Sequence, residues 1–294
     1  MVDEFKHLRI EDNGTYIICY LSNPPTHTFT ATGVSEVHRF LTTIEDRSDL
    51  RVLAFTGAGE DVFIKHYEVG ELADTAEKNL QSKESQDDPI ELHAFHKMLL
   101  RLRDLEAIVV AGINGNTAGG GCEFSLGCDL RIMADGDYHI GLPETSVGIL
   151  PGAGGTQRLS RLIGSSRAMD LILHAKLLTP SEAHDLGIVN ELIKKDTFLE
   201  DLKLYCEDLS NRAPIALRQV KKIIHQGLDM SLEESLLLEQ EAFGVTMNSK
   251  DAANAMRSLL NSEDNIENVA KFEWNGEYLF FRNFDKLFTE VFTT

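Results

Sequence analysis

Three consecutive glycines, Gly119-Gly120-Gly121, constrain this chain more than any other stretch of its 294 residues. An apolar, strand-like run, Ile108 to Ile113, precedes them, and a plausible helix, Cys122 to Cys128, follows. Glycines at a strand-to-helix turn let the backbone come very close to a ligand. They also leave free N–H groups at a helix start, where the helix dipole favours negative charge. Glu123 stands in the first turn behind them, and a second carboxylate, Glu144, lies 21 residues further on in Gly141-Leu142-Pro143-Glu144. An anion-stabilising turn flanked by two acid/base groups fits enolate chemistry, although a tight turn packing a helix on a sheet would use the same glycines.

Other glycine-loop chemistries fail on spacing. No Gly-Lys-Ser/Thr follows the run, which argues against a nucleotide P-loop. Gly115 and Gly119 are four apart, so the dinucleotide fingerprint is not met. No Gly-x-Ser-x-Gly occurs, so there is no serine-hydrolase elbow.

An apolar fraction of 43% supports a sizeable core. The net charge of −19 argues against general binding to nucleic acid or to anionic membranes. No apolar stretch approaches the length of a membrane span, and Met1 to Lys6 does not resemble a signal peptide. The cysteines Cys19, Cys122, Cys128 and Cys206 form no Cys-x-x-Cys pair. Free buried thiols in a reducing, cytoplasmic setting are therefore expected.

Tyr16 to Leu21 and Val52 to Phe55 read as strands, with an amphipathic helix over 33–46 between them. Residues 76–89 are polar and aperiodic and read as a mobile loop. Asp87 and Asp88 are candidate caps for a helix opening at Pro89, running to Leu105 and burying Leu92, Phe95, Leu99 and Leu102. Strands and helices then alternate to about residue 195, which implies an α/β core with right-handed crossovers. Beyond it the chain reads as helices over 197–211, 214–227, 231–248 and 249–260, then an aromatic-rich stretch over 271–294. This gives a core over 1–195, a helical region over 196–264 and an extension over 265–294. His93 and His96 have a spacing that allows metal chelation, but no nearby cysteine or acidic motif completes a site, so no metal is expected.

The chain resembles the crotonase (enoyl-CoA hydratase/isomerase) superfamily over about 10–260. The residues that carry the resemblance are Gly119-Gly120-Gly121-Cys122-Glu123, Cys128-Asp129-Leu130-Arg131-Ile132 and Gly141-Leu142-Pro143-Glu144. They continue with the run from Gly148 through Pro151-Gly152-Ala153-Gly154-Gly155 to Leu159, and with Ala183 to Asn190. Asn23-Pro24-Pro25 and Phe55-Thr56-Gly57 fit its early landmarks.

The resemblance implies a spiral of ββα units in stacked sheets, with a C-terminal helical region that assembles homotrimers or homohexamers. It implies acyl-CoA thioester substrates, with coenzyme A carried as part of the substrate and no separate cofactor. It also implies an oxyanion hole of two backbone N–H groups, from Gly120 and Tyr67. Fixed donors aimed at a developing oxyanion are worth roughly 3–4 kcal/mol each. Glu123 and Glu144 fill both catalytic carboxylate positions, and the Gly152 amide matches a position that holds the attacking water. Hydration of a 2-enoyl-CoA is the leading expectation. Double-bond isomerisation, C–C or thioester hydrolysis, or a non-catalytic binding role remain open.

The segment Lys65-His66-Tyr67-Glu68 departs from the family's small, glycine-containing stretch. Lys65 is thereby a candidate for a CoA phosphate and His66 for a catalytic group, each with a plain surface or turn role as its alternative. The C-terminal helical region carries one arginine, Arg257, within Ala255 to Leu260, where relatives often have a basic cluster. The aromatic extension is expected to cover a subunit surface or a pocket mouth, with packing on its own protomer's core as the alternative.

Overall fold

A computed structural model describes residues 5–81, 91–261, 272–274 and 279–281. Residues 1–204 and 205–294 form two compact units.

The first unit opens with a hairpin that the sequence alone did not announce, β1 (Leu8–Asp12) and β2 (Tyr16–Leu21), paired antiparallel. Helix α1 (Ala31–Ile44) follows, its first turn capped by the Thr30 hydroxyl, which accepts from the Gly33 N–H. Strand β3 (Val52–Gly57), α2 (Val69–Gln81), α3 (Ala94–Asp104) and β4 (Ile108–Ile113) come next. Then come β5 (Thr117–Ala118), α4 (Gly120–Leu126), β6 (Leu130–Asp135) and β7 (Ile140–Gly141). A 3-10 turn over Glu144–Val147 leads to α5 (Gly155–Ile163), α6 (Ser165–Leu173), β8 (Leu177–Leu178), α7 (Pro180–Asp185) and β9 (Glu191–Lys194).

The main sheet has the order β1-β2-β3-β4-β6-β9, with every pairing after the first hairpin parallel. Every residue of β3 and β4 is buried, as parallel strands covered on both faces require. A smaller sheet of β5, β7 and β8 stands apart from it. Two sheets wound by strand–helix repeats are the α/β spiral expected from the sequence. Cys19, Cys122, Cys128 and Cys206 are all free and buried.

Helix α8 (Phe198–Ser210) runs across the boundary between the units. The second unit holds α9 (Pro214–Gly227), α10 (Leu232–Met247) and α11 (Lys250–Asn261), and α9 packs on α10. Ser231 and Glu234 form a capping box at the start of α10. The strands β10 (Phe272–Trp274) and β11 (Leu279–Phe281) pair antiparallel within the aromatic-rich stretch, where no strand was expected. The other aromatic positions expected to cover a surface lie outside the described residues. Among the described residues, no helix is long and apolar enough to cross a membrane.

Two helix boundaries correct the sequence reading. Residues 76–81 belong to α2 rather than to a loop; Ala76, Glu77, Lys78 and Leu80 are good helix formers, with Glu71 in the first turn and Lys78 in the last complementing the helix dipole. The stretch from 76 holds only the polar last turns of this helix, whose apolar spacing begins at Val69 and Leu72 and which has no fully buried residue. Helix α3 starts at Ala94 with His93 as its N-cap, five residues later than Pro89 would place it. Leu92 therefore lies outside the helix and is half exposed, while Phe95, Leu99 and Leu102 are buried as expected. Asp87, Asp88 and Pro89 lie outside the described residues.

Candidate active site

The glycine turn is built by conformation and close approach. Gly119 holds a left-handed φ of 51° that favours glycine, and its N–H bonds the Gly141 carbonyl at 2.9 Å. A Cβ on Gly120 would lie 2.8 Å from the Tyr67 Cβ and 3.2 Å from the Tyr67 nitrogen. Only glycine lets these two stretches of backbone meet. At the other end of α4, the buried Arg131 guanidinium on β6 donates to the Ser125 and Cys128 carbonyls, closing the helix whose start carries the site.

Tyr67 faces Gly120 for a reason legible in the hydrogen bonds around it. It forms an isolated parallel bridge with Phe29: the Phe29 N–H bonds the His66 carbonyl, and the Glu68 N–H bonds the Phe29 carbonyl, both at 2.8 Å. Residues 66 and 68 thus spend their groups on Phe29, and the Tyr67 N–H points to the opposite side, as alternation along an extended strand demands. The Gly120 N–H belongs to the first turn of α4 and has no acceptor within its helix.

Glu123 is 3% exposed. Its Oε1 accepts from the Ala153 N–H at 2.6 Å and the Gly155 N–H at 2.8 Å. Burial raises its pKa, and the two amides together with Arg158 and His93 pull it back toward the ionised form. Glu144 is 9% exposed, and its Oε2 has no hydrogen-bond partner among the described residues. Burial, with the neighbouring Glu123 charge adding to it, pushes its pKa up to about 7.

Tyr67, Gly120, Glu123, Glu144 and Gly152 line one cavity of about 570 Å³. Its remaining wall includes Val34, Leu72, Phe95 and Leu150, an apolar surface with a few convergent polar groups. Lys65 and His66 are not among its lining residues. Lys65 is exposed, and His66 packs its Cβ behind Gly119 while its Nδ1 meets the Tyr67 carbonyl at 2.7 Å.

Several contributors carried no clear signal in the sequence. The loop behind Glu123 uses the amides of Ala153 and Gly155, and the Gly152 carbonyl accepts from His93 Nε2 at 2.9 Å. His93 and His96 stack with ring centroids 4.0 Å apart and so brace this loop. Among the described residues no group of three or more histidine, cysteine or acidic side chains could hold a metal ion. Glu71, on the first turn of α2, lines the cavity and accepts from the Tyr67 hydroxyl.

Two buried carboxylates and two main-chain N–H groups thus share one cavity of an α/β fold, and comparison with known proteins gives the chain a family. Residues 11–265 match the profile of the family Enoyl-CoA hydratase/isomerase. A short-chain-enoyl-CoA hydratase of Clostridium acetobutylicum is 31% identical, over 87% of this chain and 95% of that protein. A crotonyl-CoA hydratase of Syntrophomonas wolfei is 27% identical over the same shares. The crystal structure of an enoyl-CoA hydratase from Bacillus anthracis is similar with a TM-score of 0.77 at 28% identity, covering 87% of this chain and 96% of that one. The chain belongs to the enoyl-CoA hydratase/isomerase family.

Proposed function

We propose that this protein is an enoyl-CoA hydratase, a lyase that adds water across the double bond of a short-chain 2-enoyl-CoA. The observation that carries the reading is the pairing of two buried carboxylates in one cavity with the turned-in main-chain N–H groups of Tyr67 and Gly120. The similarity to hydratases of short-chain and crotonyl thioesters supports the substrate class.

The thioester carbonyl oxygen sits between the Tyr67 and Gly120 N–H groups. Negative charge develops there when the β carbon is attacked, and donors already in place need no reorganisation. Glu123, whose Oε1 is oriented by two amides, takes a proton from water as the water oxygen bonds to the β carbon. Glu144, pushed up to about 7 by burial, delivers its proton to the α carbon as the enolate collapses. The product is a 3-hydroxyacyl-CoA, and transfer of the proton from Glu123 to Glu144 through solvent resets the pair. Gly152 lies on the wall beside Glu123, suited to holding the water. Coenzyme A enters only as the substrate's handle, with Lys65 at the surface as a candidate contact for its phosphates.

A homotrimer or homohexamer fits the apolar side chains left exposed in each unit, among them Met169 and Leu173 in the first and Leu237 and Phe243 in the second. The helical region over 196–264 is assigned to that assembly. Four buried free thiols fit a reducing cytoplasm. Mixing the protein with crotonyl-CoA tests the activity. Loss of the conjugated-thioester absorbance with formation of 3-hydroxybutyryl-CoA is expected, and unchanged absorbance at high enzyme concentration overturns the reading. Light scattering coupled to size exclusion tests the assembly, and a monomer at assay concentration removes it.

A further inference from the structure

Tyr67 is a large side chain at a position whose function lies in its main chain, and its ring is tied down at both edges. The phenol oxygen donates to Glu71 Oε2 at 2.8 Å. The ring also lies against Phe95, with centroids 6.0 Å apart and planes tilted by 31°. The same Glu71 oxygen accepts the Ala31 N–H, the first of α1, at 3.0 Å. Ala31 stands two residues after Phe29, which is the bridge partner of Tyr67. Glu71 therefore closes a loop of contacts: Tyr67 backbone to Phe29, Phe29 along the chain to Ala31, Ala31 to Glu71, and Glu71 back to the Tyr67 ring.

The bridge to Phe29 decides which way the Tyr67 N–H faces. It does not decide how closely the segment presses on Gly120, because a bridge of two hydrogen bonds can ride outward as a unit. Gly120, with no Cβ, lets the glycine-free segment Lys65-His66-Tyr67-Glu68 come close without colliding, so that contact by itself does not hold the segment against outward motion. A ring anchored to α2 and shelved on Phe95 opposes that motion.

We propose that Glu71 is a positioning residue: by gripping the Tyr67 phenol and the start of α1 together, it sets the depth of the Tyr67 N–H beside Gly120 and so the spacing of the oxyanion donors. This deepens the hydratase reading and rests on it for the kinetic test alone. A misplacement of about 1 Å in a reacting group costs on the order of a hundredfold in rate, so a partial loosening falls below that.

The test compares Glu71→Ala, Glu71→Gln and Tyr67→Phe with the unaltered protein, each checked for an unchanged melting temperature. With crotonyl-CoA, Glu71→Ala and Tyr67→Phe are expected to lower kcat about tenfold with KM held within about threefold, since the lost interaction serves the transition state. Glu71→Gln, whose amide oxygen still accepts from the phenol, should recover most of that loss. An independent signal is the carbonyl stretch of a bound 2,4-dienoyl-CoA, read by isotope-edited infrared difference spectroscopy. It is expected at low frequency in the unaltered protein and shifted toward the free-thioester value in Glu71→Ala and Tyr67→Phe. Unchanged kcat in both variants, a change confined to KM, or a stretch that does not move with the substitutions overturns the proposal. An unaltered protein that polarises the bound carbonyl but hydrates nothing would defeat the hydratase reading while leaving the role of Glu71 to the spectroscopic result. A bound carbonyl that is unshifted in the unaltered protein defeats the role of Glu71 outright.

Discussion

Glu123 and Glu144 share a cavity wall and differ in almost every contact. Glu123 is held from behind by two loop amides, on a helix whose position the glycine turn fixes. Glu144 starts a 3-10 turn and buries one oxygen with no hydrogen-bond partner among the described residues. Burial raises both carboxyls, but two amide donors offset part of that effect for Glu123, whereas Glu144, with an orphaned oxygen, is pushed up to about 7. The same residue type is thereby set as base in one place and acid in the other. The difference also explains why neither can stand in for its neighbour. Glu123→Gln and Glu144→Gln are each expected to lower kcat/KM for crotonyl-CoA by about a hundred- to ten-thousandfold, the usual range for a positioned acid or base. Steady-state kinetics on both variants checks this, and near-normal turnover by either would remove that residue from the chemistry.

The stabilities of the two glutamine variants should separate the corners further. The Glu144 carboxyl titrates at about 7 in the fold against 4.5 for the ordinary side chain. The native state thus binds a proton the unfolded chain has lost, so stability falls as pH rises through that window and is lowest above it. Glu144→Gln removes this penalty and should stabilise the protein at pH 8 by on the order of 1–3 kcal/mol, with little effect at pH 4. Glu123→Gln keeps a carbonyl oxygen for both N–H donors but loses a charge that those donors and Arg158 favour, so any gain at pH 8 should be smaller than that of Glu144→Gln. Thermal melts of both variants at the two pH values decide it; equal shifts would mean the corners do not differ as their contacts imply.

A smaller effect belongs to the pH profile. With Glu144 as the proton donor, kcat/KM should decline about tenfold per pH unit above about pH 7, reporting the free enzyme's acid. A profile flat to pH 9 would place the donor elsewhere.

How much of this was legible in the sequence also differs between the corners. The glycine run and both carboxylates are contiguous motifs, and local chemistry points to them without a structure. The tie between Tyr67, Glu71 and Ala31 joins residues 4 and 40 positions apart, and no pattern along the chain announces it. The parallel order of the sheet follows from strands alternating with helices, but the opening hairpin does not, because Leu8 to Asp12 carries charged residues at an edge. Helix α2 does carry helical spacing, in Val69, Leu72, Ala76 and Leu80, but half of that pattern lies before residue 76, outside the stretch that reads as polar and aperiodic.

His93 and His96 were visible as a pair and point to a metal only if their spacing is read in isolation. In the fold, His93 precedes α3 and its Nε2–H donates to the Gly152 carbonyl, next to the amides that hold Glu123. This ties one corner of the site to α3 by a single exposed hydrogen bond, worth about 1 kcal/mol. The Arg158 guanidinium braces the same loop through the Ala153 carbonyl at 3.0 Å, so losing one brace loosens the loop without freeing it. His93→Ala is therefore expected to lower kcat about two- to fivefold, roughly the rate equivalent of that one bond. Glu144 makes no such contact, so the stability signature of Glu144→Gln should persist in the double variant His93→Ala/Glu144→Gln, with the two effects additive within about 0.5 kcal/mol. Kinetics of His93→Ala and melts of the double variant check both halves. Strong non-additivity would mean that the loop behind Glu123 also governs Glu144, and that the two corners act as one.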